Sequence, residues 1–195
     1  GGDKSASNKS FSPRDEIKYW FSGFEAKKWL KRGYNKKEID IYMTPPIEEI
    51  LSKKINRQFW SYYQFWDPQE HYYYSTKNTG FKANPDGRSE GTFSKYASLD
   101  DVIDGFHFYF MFLKFGIGRA TSDASHEIRD KHLTREEGVR LVKKYDGEFP
   151  SKYYKTFLNY CNLSEKEFYQ ICDRWRSNHL WTKKRNKWKL NQQVI

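Results

Sequence analysis

The sequence predicts a mainly α-helical fold with about one strand, near residues 58–66. Three observations lead there. The first is a repeated pairing of a short polar residue with an acid three positions on: Ser12 with Asp15, Asn35 with Glu38, Asp67 with Glu70, Ser98 with Asp101, Thr134 with Glu137, and Ser164 with Glu167. A side-chain oxygen at the first position accepts a backbone N–H at the start of a helix, and an acid at the third helical residue can bond back, so each pair marks a helix N-terminus. The second is apolar spacing: Ile47, Ile50, Leu51 and Ile55 recur at helical intervals, as do Tyr154, Phe157, Leu158 and Cys161. The third is the stretch Gln58-Phe-Trp-Ser-Tyr-Tyr-Gln-Phe-Trp66, which is short, crowded with aromatics and poor in helix formers. That composition suits a buried strand. Because the capped segment at Asp67 follows at once, the pair reads as the strand-then-helix unit of α/β folds, and its strand needs partners from elsewhere.

Taken in order, residues 1–11 read as a tail or linker and 12–57 as a helical segment. Residues 58–195 read as a strand followed by a helical region. Pro13 at the first helical position supports a start at Ser12, and Pro45-Pro46 closes the helix opened at Asn35. The polar, glycine-rich loop from Thr79 to Lys95 is long for a compact domain, which marks it as a candidate functional loop. The helix from Val102 to Phe112 is apolar on nearly all sides and is expected at the centre of the core. Lys114-Phe-Gly-Ile-Gly-Arg119 breaks it, and the chain resumes helically to Arg129. Leu163 and Phe168 flank the Ser164 capping box as a hydrophobic staple.

Composition narrows the classes. A mean hydropathy of -1.00 with 31% charged residues would suit a disordered chain, but 19% of residues are aromatic. Disordered segments lack the rings needed to offset chain entropy, so the chain is expected to fold around an aromatic core. No run of about 18 apolar residues exists, which excludes a membrane-spanning helix. Residues 1–10 carry no apolar signal core, and a cytoplasmic location with no membrane partner is expected. Cys161 and Cys172 form no framework and no Cys-x-x-Cys pair; they read as reduced core thiols, and no metal site is expected. The net charge of +10 favours anionic partners without choosing among nucleic acid, nucleotides, nucleotide sugars and lipid headgroups.

Three local signals could carry chemistry. In Lys114-Phe-Gly-Ile-Gly-Arg119, two glycines permit close backbone approach while Lys114 and Arg119 supply charge, as a phosphate would need. The alternative is a plain kink between helices. Asp123 and Glu127 share a helix face and could act as paired carboxylates or as surface partners of Arg119 and Arg129. His107 and His126 carry no clear role. After Asp173 there is no acid, and Trp175, Trp181 and Trp188 alternate with cations. That tail could stack single-stranded bases, or its tryptophans could pack back on the helices.

Six motifs in order make the chain recognisable: Trp66-Asp-Pro-Gln-Glu-His-Tyr-Tyr-Tyr74; Thr79-Gly-Phe-Lys-Ala-Asn-Pro85 with Ser89-Glu-Gly-Thr-Phe-Ser-Lys-Tyr96; Lys114-Phe-Gly-Ile-Gly-Arg-Ala-Thr-Ser-Asp123; Glu127-Ile-Arg129; Leu133-Thr-Arg-Glu-Glu-Gly138; and Tyr145-Asp-Gly-Glu-Phe-Pro150. Together they resemble the C-terminal half of the N-acetyl sugar amidotransferases of bacterial surface-polysaccharide synthesis. That family is similar to asparagine synthetase and other PP-loop ATP pyrophosphatases, so the resemblance implies the helical C-terminal part of an α/β PP-loop protein. It also implies a reaction: ATP with Mg2+ adenylates the acetamido oxygen of an N-acetyl sugar, and ammonia from a glutaminase subunit then displaces AMP to leave an acetamidino group. By the same resemblance Lys114 and Arg119 would face pyrophosphate or the α-phosphate. Lys82, Asn84 and Glu90 would contact the sugar, itself nucleotide-linked, and Asp123 would be a further polar contact. The family's Ser-Gly-Gly-x-Asp-Ser phosphate loop and cysteine pairs are not in this sequence, and Gly1-Gly-Asp-Lys4 resembles the point where the family's chain leaves that half. The chain is therefore expected to be inactive alone. Two other readings compete: a basic, aromatic RNA-binding module without catalysis, and a docking domain for the glutaminase, suggested by aromatics in the first helix.

Overall fold

The structure, a computed structural model, describes Ser10 and residues 26–195. The tail over 1–11, Ser10 apart, and the helix expected from Ser12 with its aromatics lie outside the described residues. The chain divides into two compact units, Gly1–Trp66 and Asp67–Ile195.

In the first unit, α1 (Lys27–Leu30), α2 (Lys36–Ile39) and α3 (Ile47–Ser52) are short. The capping box at Asn35 forms as its spacing predicts, with Asn35 Oδ1 accepting Glu38 N and Glu38 returning to Asn35 N. Ile39 and Ile50 are buried. The strand expected near 58–66 is not there: Trp60–Tyr62 is a 3-10 turn, and Gln58 alone makes an isolated antiparallel bridge, to Ser10. The physical reason is that strand preference expresses a fit to a pleated, half-buried surface. Here Trp60, Phe65 and Trp66 are more than half exposed, so no sheet face rewards extension.

The second unit holds α4 (Pro68–Asn78), α5 (Asp104–Phe115), α6 (Arg119–Arg129), α7 (Arg135–Tyr145), α8 (Tyr154–Cys161) and α9 (Glu165–Trp175). A hairpin of β1 (Trp181–Lys184) and β2 (Lys187–Leu190) follows. The mainly helical fold with one small sheet therefore holds, but the sheet lies at 181–190. Asp67, Thr134 and Ser164 cap α4, α7 and α9 as their spacing predicts. Ser98 does not cap α5. It sits at φ +53°, and Asp101 Oδ1 instead accepts Ile103 N, a local bond that competes with helix and delays the start to Asp104.

α5 runs through the core as its apolar pattern requires. Phe106 stacks on Phe157 at 4.0 Å between ring centroids, and the fully buried Phe168 meets Phe106, Phe110, Phe149, Tyr154 and Phe157 edge-on or tilted. The C-terminal tail packs back on this core. Trp181 is buried and its Nε1 donates to Leu113 O at 2.8 Å, while Trp188 Nε1 donates to Asp173. Both residues of the hairpin turn, Arg185 and Asn186, have positive φ, as a two-residue turn matched to strand twist demands. Of the two cysteines only Cys172 is a core thiol, pushed up to about 11 by burial; Cys161 is exposed, at the end of a helix whose buried face is carried by Phe157 and Leu158.

Candidate functional site

The long loop is folded, and what folds it is polar. Gly91 O accepts Ala120 N at 3.1 Å, tying the loop to the first turn of α6. One residue on, Thr92 is fully buried and its Oγ1 donates to Asp123 Oδ2 at 2.6 Å. The other oxygen of Asp123 accepts Arg119 Nε at 2.7 Å, and the guanidinium lies 5.3 Å from the Phe108 ring centroid. An arginine carries five N–H donors; Arg119 spends one on Asp123, and the other four make no hydrogen bond among the described residues.

A second clamp stands beside the first. Arg88 forks onto Glu148 at 2.6 and 2.7 Å, donates to Ser89 O and Thr92 O, and stacks at 4.3 Å on Tyr145. Glu148 also accepts Gly91 N at 2.9 Å. Burial works against the Glu148 charge, but the bonds from Arg88 and Gly91 outweigh it and hold the carboxyl below its usual range. The bond to Glu148 likewise raises Arg88.

The residues singled out from the sequence thus meet different fates. Arg119 and Asp123 form one unit. Glu90 belongs to the same loop, and its Oε1 accepts Lys152 N at 3.0 Å. Asn84 shapes the loop, with its N–H on Lys95 O and its Oδ1 taking Asp86 N; Lys82 is exposed. Lys114 sits over the Phe115 and Trp175 rings, in different surroundings from Arg119. The glycine turn between them is already filled. Gly118 N donates to Asp146 Oδ2 at 2.9 Å, and Thr121 N and Oγ1 both donate to the same carboxylate. A Cβ on Gly118 would strike Asp146 Oδ1, which accounts for that glycine by internal capping alone.

One more cluster adjoins, and the sequence pointed to it only in part. Asp67 is buried; it caps α4 through Glu70 N and pairs with His132 Nε2 at 2.8 Å. Burial opposes its charge, yet those bonds leave Asp67 low, and the same pairing raises His132. Glu127, also buried, receives among the described residues only Gln69 Nε2 at 3.5 Å, and desolvation raises it. Tyr96 stacks on Tyr72 at 4.5 Å, and burial together with the charges of Glu127, Asp123 and Asp67 pushes its hydroxyl up to about 12. Those three carboxylates acting on one phenol make the two clusters a single polar region. Beyond the family motifs that contain Asp67, Tyr96, Asp123 and Glu127, its sequence signals were the i, i+4 spacing of Asp123 and Glu127 and the helix cap at Asp67; nothing marked His132. Among the described residues no group of three or more His, Cys, Asp or Glu could hold a metal ion.

Residues 90–194 match the family described as LPS biosynthesis protein WbpG-like, C-terminal domain. That is just over half of the chain. The chain belongs to this family. The WbpG-like domain contains Glu90, Thr92, Arg119, Asp123, Glu127, His132 and Glu148, so most of the polar region lies within it, and its role is in surface-sugar biosynthesis. Lys82, Asn84 and Asp67 lie before the matched residues. Among curated proteins, none matches the chain. No helix among the described residues is long and apolar enough to cross a membrane.

Proposed function

We propose that this chain is the substrate-side part of an ATP- and glutamine-dependent amidotransferase that converts the N-acetyl group of a bacterial surface sugar to an acetamidino group. The observation that carries the reading is the Thr92–Asp123–Arg119 unit: a buried hydroxyl and a carboxylate fix a guanidinium that retains unused donors, inside the family-matched residues. A fixed cation of this kind lowers the energy of a transition state in which negative charge builds on an oxygen, because it need not reorganise when the charge appears. Asp123 is then a positioning residue. Glu127 and the Tyr96 hydroxyl suit a sugar's hydroxyl groups, the first as acceptor and the second as donor, since Tyr96 stays protonated at neutral pH.

ATP with Mg2+ would supply the activation of the acetamido oxygen, and ammonia from a glutaminase subunit the new nitrogen. Among the described residues, the α6 N-terminus is occupied by Asp146, and no group of three or more His, Cys, Asp or Glu could hold a metal ion, so no cradle for that cofactor is assigned to them. No step is therefore routed through ATP in this chain, and the proposed contributions of its residues are orientation of the sugar and stabilisation of charge by Arg119.

The test is steady-state kinetics of Arg119→Ala and Arg119→Lys in the complete enzyme. Removing one such donor costs roughly 100-fold or more in kcat, with Lys restoring part of it. Unchanged turnover in Arg119→Ala would remove the assignment.

A further inference from the structure

We propose that the cleft between α6, α7 and the C-terminal residues takes an anionic phospholipid at a membrane surface, with the outer face of the hairpin on neighbouring headgroups. The cleft holds about 520 Å³ and is walled by Phe112, Ile128, Val139, Val142 and Leu190, an apolar lining of the size that small-molecule sites have. Its polar lining is lopsided. Arg135 and Lys143 border it, and neither makes an ion pair among the described residues. The acid that borders it, Asp146, has both oxygens committed to the start of α6. An occupant with an apolar body and a negative head fits that balance.

The hairpin repeats the signature at larger scale. Its register pairs Trp181 with Leu190 and Lys183 with Trp188 on one face, and Thr182 with Lys189 and Lys184 with Lys187 on the other. The first face is turned inward: Trp181 is buried, and Lys183 reaches Asp173. The second therefore presents Lys184, Lys187 and Lys189, with Arg185 at the turn, all exposed. Lys184 and Lys187 stand directly opposite one another, which destabilises a strand pair, and none of these four cations makes an ion pair among the described residues. The strand that carries Lys187 and Lys189 also gives Leu190 to the cleft wall, and Ile117, at the cleft's edge, is 55% exposed. Cations beside exposed aliphatic groups are what an anionic bilayer surface rewards. Single-stranded nucleic acid is the less suited polyanion, because it requires rings to stack on, and the outer face of the hairpin has none. The absence of an apolar run, which excludes a membrane-spanning helix, bears on spanning and not on surface contact.

The experiment is co-sedimentation of the full chain with vesicles of phosphatidylcholine alone and of phosphatidylcholine containing phosphatidylglycerol, over a range of salt. Binding is expected only with phosphatidylglycerol and is expected to fall as salt rises. The Lys184→Gln, Lys187→Gln, Lys189→Gln triple variant should weaken it by roughly fivefold per cation. Arg135→Gln with Lys143→Gln, and separately Ile117→Asp, should weaken it further. These side chains are at the surface or the cleft's edge, and circular dichroism checks that each variant folds. The proposal is overturned if vesicles with phosphatidylglycerol bind no better than those without it. Binding that ignores the Arg135, Lys143 and Ile117 changes overturns the cleft site, and a single-stranded oligonucleotide bound where vesicles are not assigns the patch to nucleic acid.

Discussion

The second unit holds two regions of opposite construction. Around Phe168 the chain is organised by rings: six aromatic partners meet it, and Trp181 Nε1, brought in with the hairpin, donates to Leu113 O. Around Asp123 the chain is organised by charges: Thr92, Arg119, Arg88, Glu148, Glu127, Asp67 and His132 hold a loop, a helix start and a helix end together. The ring region depends on volume, and burial pushes its Cys172 thiol up to about 11 and its Tyr154 hydroxyl up to about 12, so both stay neutral near pH 7. The charged region depends on protonation and on partners, and it includes a carboxylate, Glu127, that its surroundings under-serve. On the proposed function, the charged region is where the chemistry would take place, and the ring region is its support.

The largest break in that contrast is expected at Phe168→Ala, which should cost about 3–5 kcal/mol by opening a cavity among rings. Chemical denaturation at two pH values checks it, and the cost should be the same at both. Next is Thr92→Val, which leaves Asp123 short of a donor in a buried place and should cost about 1–3 kcal/mol. A double-mutant cycle with Asp123→Asn should show coupling between the two, because they share one hydrogen bond.

The two glutamates sharpen the comparison through their opposite signs. Glu148 lies below its ordinary value of 4.5, so its contribution is present above that pH and is lost as pH falls through the folded value. Glu148→Gln should destabilise the fold at pH 7, with the gap closing in acid. Glu127 lies above the same ordinary value. Its effect is the reverse: stability present below pH 4.5 is lost as pH rises through the folded value, so Glu127→Gln should stabilise the fold at pH 7 and leave it unchanged in acid. Thermal melts across pH 3–8 read both. The smallest effect is expected at Tyr160→Ser. That ring is 78% exposed, and its loss should fall within about 0.5 kcal/mol of zero.

How much of this could be read from the sequence follows from the range of each interaction. The capping boxes at Asn35, Thr134 and Ser164 close over three residues and were legible from spacing alone. So was the central place of α5, because Phe106, Phe108 and Leu113 leave few polar positions along it. The stretch 58–66 misled because dense aromatics mean a buried strand only where something covers them. The hairpin was hidden for the converse reason: its turn is Arg-Asn rather than a glycine pair, and its cations mask the inward residues. In the site, Arg119 and Asp123 were legible as i, i+4 neighbours. The capping of Gly118 by Asp146 spans 28 residues and the Asp67–His132 pair 65, distances at which spacing carries no signal.

The central claim is that Asp123 positions Arg119 for chemistry and does more than hold the loop. Its most direct test is the pair Asp123→Asn and Thr92→Val in the complete enzyme, with kcat/KM for the N-acetyl sugar and stability measured on the same samples. The account predicts similar losses of stability, but a far larger loss of kcat/KM for Asp123→Asn, which alone removes the charge that holds the guanidinium. Losses of kcat/KM that merely track stability in both variants would contradict it and return the cluster to a purely structural role.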